Sequence, residues 1–131
     1  MSSETETQLI SLCQQVLDSI HAQDWEAYTN LCDPALSAFE PEGRGHLTEG
    51  MSFHRFYFEM EASGRPAQST ISSPKVQLLG DDAAVVTYVR LTQRIEADGS
   101  APMSVAEETR VWQKQDGQWR HVHFHRSMPG S

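Results

Sequence analysis

Three stretches decide the fold: Ala83-Ala-Val-Val-Thr-Tyr-Val-Arg-Leu-Thr-Gln-Arg-Ile95, Val105-Ala-Glu-Glu-Thr-Arg-Val-Trp-Gln-Lys114 and Trp119-Arg-His-Val-His-Phe-His-Arg126. Each is rich in the β-branched and aromatic residues that fit a pleated, half-buried surface. Asp98-Gly99 and Asp116-Gly117 separate them, and Asp-Gly is turn chemistry because both residues tolerate left-handed backbone. Ahead of the first, Val76-Gln-Leu78-Leu-Gly80 is a further strand that ends in a turn at Asp81-Asp82. The second half of the chain therefore reads as an antiparallel meander.

The first half has a different period. Leu9, Leu12, Cys13, Val16, Leu17 and Ile20 recur at the spacing of one helical face and predict an amphipathic helix over 5–22, with Ser3-x-x-Glu6 as its capping box. Asp24 is an N-cap for a short second helix that turns Trp25, Tyr28 and Leu31 inward, and Asp33-Pro34 stops it. Leu36–Phe39 reads as a short strand and 41–45 as a loop. Thr48 opens a helix over 49–60 whose Met51, Phe53, Phe56, Tyr57 and Phe58 leave it apolar on more than one side. Such a helix has to be covered all round, by its own domain or by another subunit. Helices followed by a meander predict a single α+β domain spanning 1–131, cone-shaped, with the helices laid on the concave face of a strongly curved sheet.

Bulk composition narrows the function. The chain has 131 residues, the size of one domain, and 38% of them are hydrophobic, too many for general disorder. Its net charge of −8 disfavours nucleic acid and acidic lipid surfaces, which need a basic face. No run is long enough for a membrane span, and the first residues lack the basic and apolar blocks of a secretion signal. The two cysteines, Cys13 and Cys32, read as buried reduced thiols, and the expected compartment is the cytoplasm. No Gly-rich phosphate loop, nucleophile elbow or Cys/His pair stands out, so no cofactor is expected.

Arg90, Arg110 and Arg126 fall one on each of the last three strands. Alternation puts Arg90 with Val86 and Tyr88, Arg110 with Trp112, and Arg126 with Val122 and Phe124, each on a largely apolar face. Whether Arg110 and Arg126 meet depends on the last turn. A three-residue loop at Gln115-Asp116-Gly117 keeps the even-numbered residues together, and a two-residue Asp116-Gly117 loop separates them; the first is favoured. A buried arginine cannot lose its proton and so needs an anion. Glu107 or Glu108 supplies it in an internal network, or the arginines grip a small carboxylate from outside. His121, His123 and His125 at alternate positions are read as a polar strand face rather than a metal site, which would draw ligands from several elements. His54, among aromatics, is a hydrogen-bonded structural residue or lines the pocket.

Several blocks go beyond fold-level likeness: Tyr28-Thr-Asn-Leu-Cys-Asp-Pro34, Phe39-Glu-Pro-Glu42, Glu49-Gly50, Phe53-His-Arg-Phe-Tyr-Phe-Glu59, Glu107-Glu-Thr-Arg-Val-Trp112 and Val122-His-Phe-His-Arg-Ser127. Together they resemble the association (hub) domain of calcium/calmodulin-dependent protein kinase II, within the folds similar to nuclear transport factor 2. The resemblance implies a non-catalytic domain whose copies dimerise and stack into two rings, a dodecamer, a tetradecamer or larger, tethering serine/threonine kinase domains that bind calmodulin. It also implies a pocket lined by Arg90, Arg110 and Arg126, with His54 near its mouth, that takes small carboxylates related to γ-hydroxybutyrate. The chain departs from that family at Met60–Pro66, which looks shorter. It also carries no kinase segment and no basic amphipathic stretch before the first helix, so it reads as an isolated domain or a free-standing hub-like protein. The competing reading is a small enzyme on the same cone, an isomerase or cyclase with Glu108 and His54 as the acid/base groups.

Overall fold

The computed structural model describes residues 2–60 and 64–129. Helix α1 (Ser2–Ala22) is followed by α2 (Trp25–Leu31), β1 (Cys32–Phe39), a 3-10 turn at Pro41–Gly43, β2 (Thr48–Glu49), α3 (Ser52–Phe58), β3 (Ala67–Leu78), β4 (Ala83–Arg94), β5 (Met103–Gln115) and β6 (Gln118–Ser127). The strands form one curled sheet in the order β2-β1-β6-β5-β4-β3. The last four make the antiparallel meander, and β1 joins it in parallel beside β6.

The stripe on α1 is the seed of the core. Leu9, Cys13, Val16 and Leu17 are all fully buried, against Leu36 of β1, Ala84 and Val86 of β4 and Trp112 of β5. Burying side chains of this size contributes roughly 1.5–3 kcal/mol each, so this face alone outweighs the modest intrinsic preference of the segment for helix. The Ser3 side chain of the capping box lies outside the described residues, as do residues 61–63 of the divergent stretch. Asp24 caps α2 by accepting from the Ala27 amide at 3.1 Å. Trp25 and Tyr28 of α2 then pack on Phe58 of α3, with ring centroids 5.0 and 4.7 Å apart.

Four local details differ from the sequence reading. The helix expected over 49–60 starts only at Ser52, because Gly50, at φ 82°, turns the chain and donates its amide to the Leu36 carbonyl. Thr48 and Glu49 pair with Ala38 and Ser37 instead. Strand β1 starts at Cys32, before Asp33-Pro34, since its register with β6 breaks between Cys32 and Ser37 and the proline meets no ladder there. Strand β3 extends back to Ala67 through a Ser- and Pro-containing run in which Thr70 and Ile71 are the β-branched residues. It is an edge strand, where Pro74 and the register shift between Ser72 and Lys75 are tolerated.

The fourth difference concerns the last hairpin. Gln115 pairs with Gln118, so the loop is the two-residue Asp116-Gly117 turn, both residues at positive φ, and not the favoured three-residue form. That turn alone would separate Arg110 from Arg126. A β-bulge reverses the outcome: Trp112 pairs with His121 but Val111 with His123, leaving Val122 as the extra residue. Beyond it Arg110 faces Phe124, Glu108 faces Arg126, and the arginines share the inner side. The same bulge splits the histidines. His121 is fully buried in the core, whereas His123 and His125 stand on the outer side beside Phe39. Three histidines on one face is therefore a corrected expectation.

Candidate functional site

The inner side of β4 and β5 carries Tyr88, Arg90, Glu108 and Arg110, all buried. Glu108 is the hub of this network. It accepts from Tyr88 Oη at 2.5 Å, Arg110 Nη2 at 3.2 Å and Arg90 Nη1 at 3.2 Å. Burial by itself pushes its carboxyl up, but Arg110, Arg90 and the Tyr88 hydroxyl together outweigh that and hold it down at about 2. Arg110 also donates Nε to Tyr88 Oη at 2.7 Å, lies 3.2 Å from His121 Nε2, and stacks 4.7 Å above the Phe124 ring. For Arg110 to donate there, His121 Nε2 must be an acceptor. Burial, and then Arg110, push this histidine well below its usual range, so it is the neutral form.

The mouth of the cone is arranged differently. Arg126 of β6 pairs with Glu42 and lies 3.6 Å from Glu40 Oε2. Glu40 Oε1 is 3.5 Å from His54 Nδ1. The distance is that of an ion pair, but the protonation states are not. Burial pushes Glu40 up to about 7, against Arg126, and pushes His54 down to about 4, helped by Arg110. Between those values both groups are neutral, and neither Glu40 Oε1 nor His54 Nε2 has a hydrogen-bond partner among the described residues.

Below the mouth a cleft of about 300 Å³ is lined by Arg90, Thr92, Arg94, Ser104, Arg126 and Glu42, with Pro41, Ala106 and Met128 as its apolar walls. Of the residues singled out in the sequence, Arg90 and Arg126 reach it. Arg110 does not: it is 1% exposed, beneath the cleft, with its donors committed to Tyr88, Glu108 and His121. His54 is buried behind Glu40, against Tyr28 and Phe124. Sequence reasoning missed Arg94 and Thr92, although both share the parity of Arg90 on one strand. It also missed Glu40, whose inward placement depends on the turn at Pro41–Gly43. The cleft can hold an anion between guanidinium groups and hydroxyls. Among the described residues no group of three His, Cys, Asp or Glu side chains can hold a metal ion. No helix there is long and apolar enough to cross a membrane.

Residues 5–130 match the family model described as calcium/calmodulin dependent protein kinase II association domain. Among curated proteins, the chain is 49% identical over 122 residues to calcium/calmodulin-dependent protein kinase type II subunit delta of Oryctolagus cuniculus. That match covers 92% of the chain but only 23% of the relative, so the chain spans about a quarter of the length of that protein. Among solved structures, the association domain of C. elegans CaMKII superposes with a TM-score of 0.91 at 41% identity, covering 96% of this chain and 97% of that one. A nuclear transport factor 2 (NTF2-like) superfamily protein from Salmonella enterica gives 0.79 at 22% identity, covering 100% of this chain and 95% of that one, and shares the fold alone.

Proposed function

The chain belongs to the calcium/calmodulin-dependent protein kinase II association-domain family, and on that premise we propose that it closes into stacked rings of identical subunits. Association domains of this family are non-catalytic oligomerisation modules that form homo-oligomers; kinase activity in full-length relatives lies in a separate domain. In the proposed assembly the rings hold attached kinase domains close together in the cytoplasm, and so raise their concentration for one another without any new contact.

The observation that carries this reading is uncovered apolar surface. Phe56, Tyr57 and Met60, on and just after α3, are 65, 40 and 53% exposed, while His54 of the same helix faces the core. The outer side of the sheet presents Val85, Val89, Leu91 and Val111 half-buried. A monomer leaves these surfaces wet, and a symmetric closed assembly covers them. Substituting Phe56→Glu puts a charge into the proposed contact and is expected to lower the native mass to that of a small oligomer or monomer. An unchanged mass would move the contact to the sheet.

The second element of the reading is ligand capture. The cleft gathers Arg90, Arg94 and Arg126 in a protein of net charge −8, and we propose that it takes a small carboxylate, with Arg110 acting beneath it to hold Glu108 and Arg90 in place. Glu108 is a poor proton acceptor at about 2 with three donors on it, which weighs against the isomerase or cyclase alternative. Substituting Arg126→Ala is expected to weaken γ-hydroxybutyrate binding about tenfold or more in calorimetry, the value of one charged hydrogen bond. Equal affinity would remove Arg126 from the site.

A further inference from the structure

A line of hydrogen bonds connects the end of α1 to this cleft. His21 Nε2 lies 2.7 Å from Ser69 Oγ of β3, and Ser69 Oγ lies 3.0 Å from Thr92 Oγ1 of β4. Ser69 Oγ also accepts from Arg90 Nε at 2.8 Å. Ser69 and Thr92 are buried, and Thr92 and Arg90 line the cleft. None of the blocks that carry the family resemblance contains His21 or Ser69.

A hydroxyl has one hydrogen and two lone pairs, which limits the chain to two arrangements. One lone pair of Ser69 is taken by Arg90. If His21 Nε2 is an acceptor, Ser69 gives its hydrogen to His21 and must accept from Thr92, whose hydrogen then points away from the cleft. If Nε2 carries a hydrogen, it donates to Ser69, Ser69 donates to Thr92, and the Thr92 hydrogen is free for a ligand.

We propose that His21 is a positioning residue for the anion cleft, setting through Ser69 whether Thr92 donates into it. The inference rests on the cleft being an anion site. It has a direction as well. Burial first, and then Arg90 and Arg94 of β4, hold His21 below its ordinary range, while Asp18 of its own helix acts the other way. An anion between Arg90 and Arg94 cancels the two positive charges that oppose protonation. Its entry therefore draws a proton from solvent onto His21, and the protonated ring, which always carries a hydrogen on Nε2, turns Thr92 toward the ligand.

The test is calorimetry of γ-hydroxybutyrate binding at about pH 6, near the ordinary imidazole range, in buffers of different ionisation enthalpy. The unmodified chain is expected to take up a fraction of a proton per ligand bound. His21→Gln, whose amide reaches Ser69 but does not titrate, should bind with similar affinity and no uptake. His21→Phe leaves Ser69 no acceptor but Thr92, so it should bind no more weakly than the unmodified chain and show no uptake. Thr92→Val should bind roughly 3–10-fold more weakly, the value of one hydrogen bond, and in that background His21→Phe should change the affinity no further, because the effect runs through Thr92. Undiminished proton uptake in His21→Gln, weaker binding by His21→Phe, or a further change in the double variant would overturn the inference and leave the cleft standing. No binding by the unmodified chain would overturn both.

Discussion

Arg110 and Arg126 lie on adjacent strands and face the same side of the sheet, but their surroundings differ. Arg110 is 1% exposed, with Tyr88, Glu108 and His121 around its nitrogens and Phe124 under its plane. Arg126 is 16% exposed at the mouth, shared between Glu42 and a Glu40 whose carboxyl burial pushes up to about 7. A sealed guanidinium with a partner on each nitrogen is a structural part, and replacing its carboxylate partner leaves a buried charge. A rim guanidinium whose partner gives up its charge readily has capacity for another anion. Exposure and the protonation state of the partner, more than residue type, separate the frame from the site.

The contrast can be broken most sharply at Glu108. Glu108→Gln leaves Arg90 and Arg110 without their shared counter-charge and is expected to cost about 3–5 kcal/mol in urea unfolding at neutral pH. A loss below about 1 kcal/mol would mean that the interior is wet and the two regions are alike.

The two carboxyls also predict opposite pH slopes. Glu108 is held at about 2 against an ordinary 4.5, so its contribution is present above about 4.5 and is lost as pH falls toward 2. Glu40 is raised from 4.5 to about 7, so its burial costs nothing below about 4.5, and the cost grows as pH rises to 7 and is full above it. Glu40→Gln should therefore stabilise the fold on the order of 2 kcal/mol at about pH 8 and leave it unchanged at about pH 4. Equal effects at both pH values would place Glu40 in an ordinary ion pair.

The smallest effect on stability is expected from Arg126→Ala, below about 1 kcal/mol at about pH 6, because Glu40 is already neutral there and Glu42 keeps its contact with solvent. The same substitution is expected to weaken carboxylate binding, so a stability loss as large as that of Glu108→Gln would erase the distinction between the two regions.

Much of this frame was legible in the residues. The α1 stripe, the Asp24 cap and the meander follow from periodicity and turn chemistry, because those elements are decided by local contacts. Strand β3 was half-hidden because edge pairing tolerates Ser, Thr and Pro. The arginine face was reached by way of the wrong turn. The Asp116-Gly117 loop is two residues long, and the shared face depends on the bulge at Val122, which nothing in His121-Val122-His123 announces. The lining of the candidate cleft was legible in part: Arg90 and Arg126 line it, and parity alone would have added Thr92 and Arg94. It did not reveal that Arg110 is sealed, since the depth of a side chain in a cone depends on sheet curl, a property of all six strands together.

An assembly module is recognised by its native mass. The subunit is 14.7 kDa. Light scattering after size exclusion should give a closed oligomer many times that mass, unchanged on dilution through the micromolar range, whereas a monomer or simple dimer at the same concentration would rule out a ring.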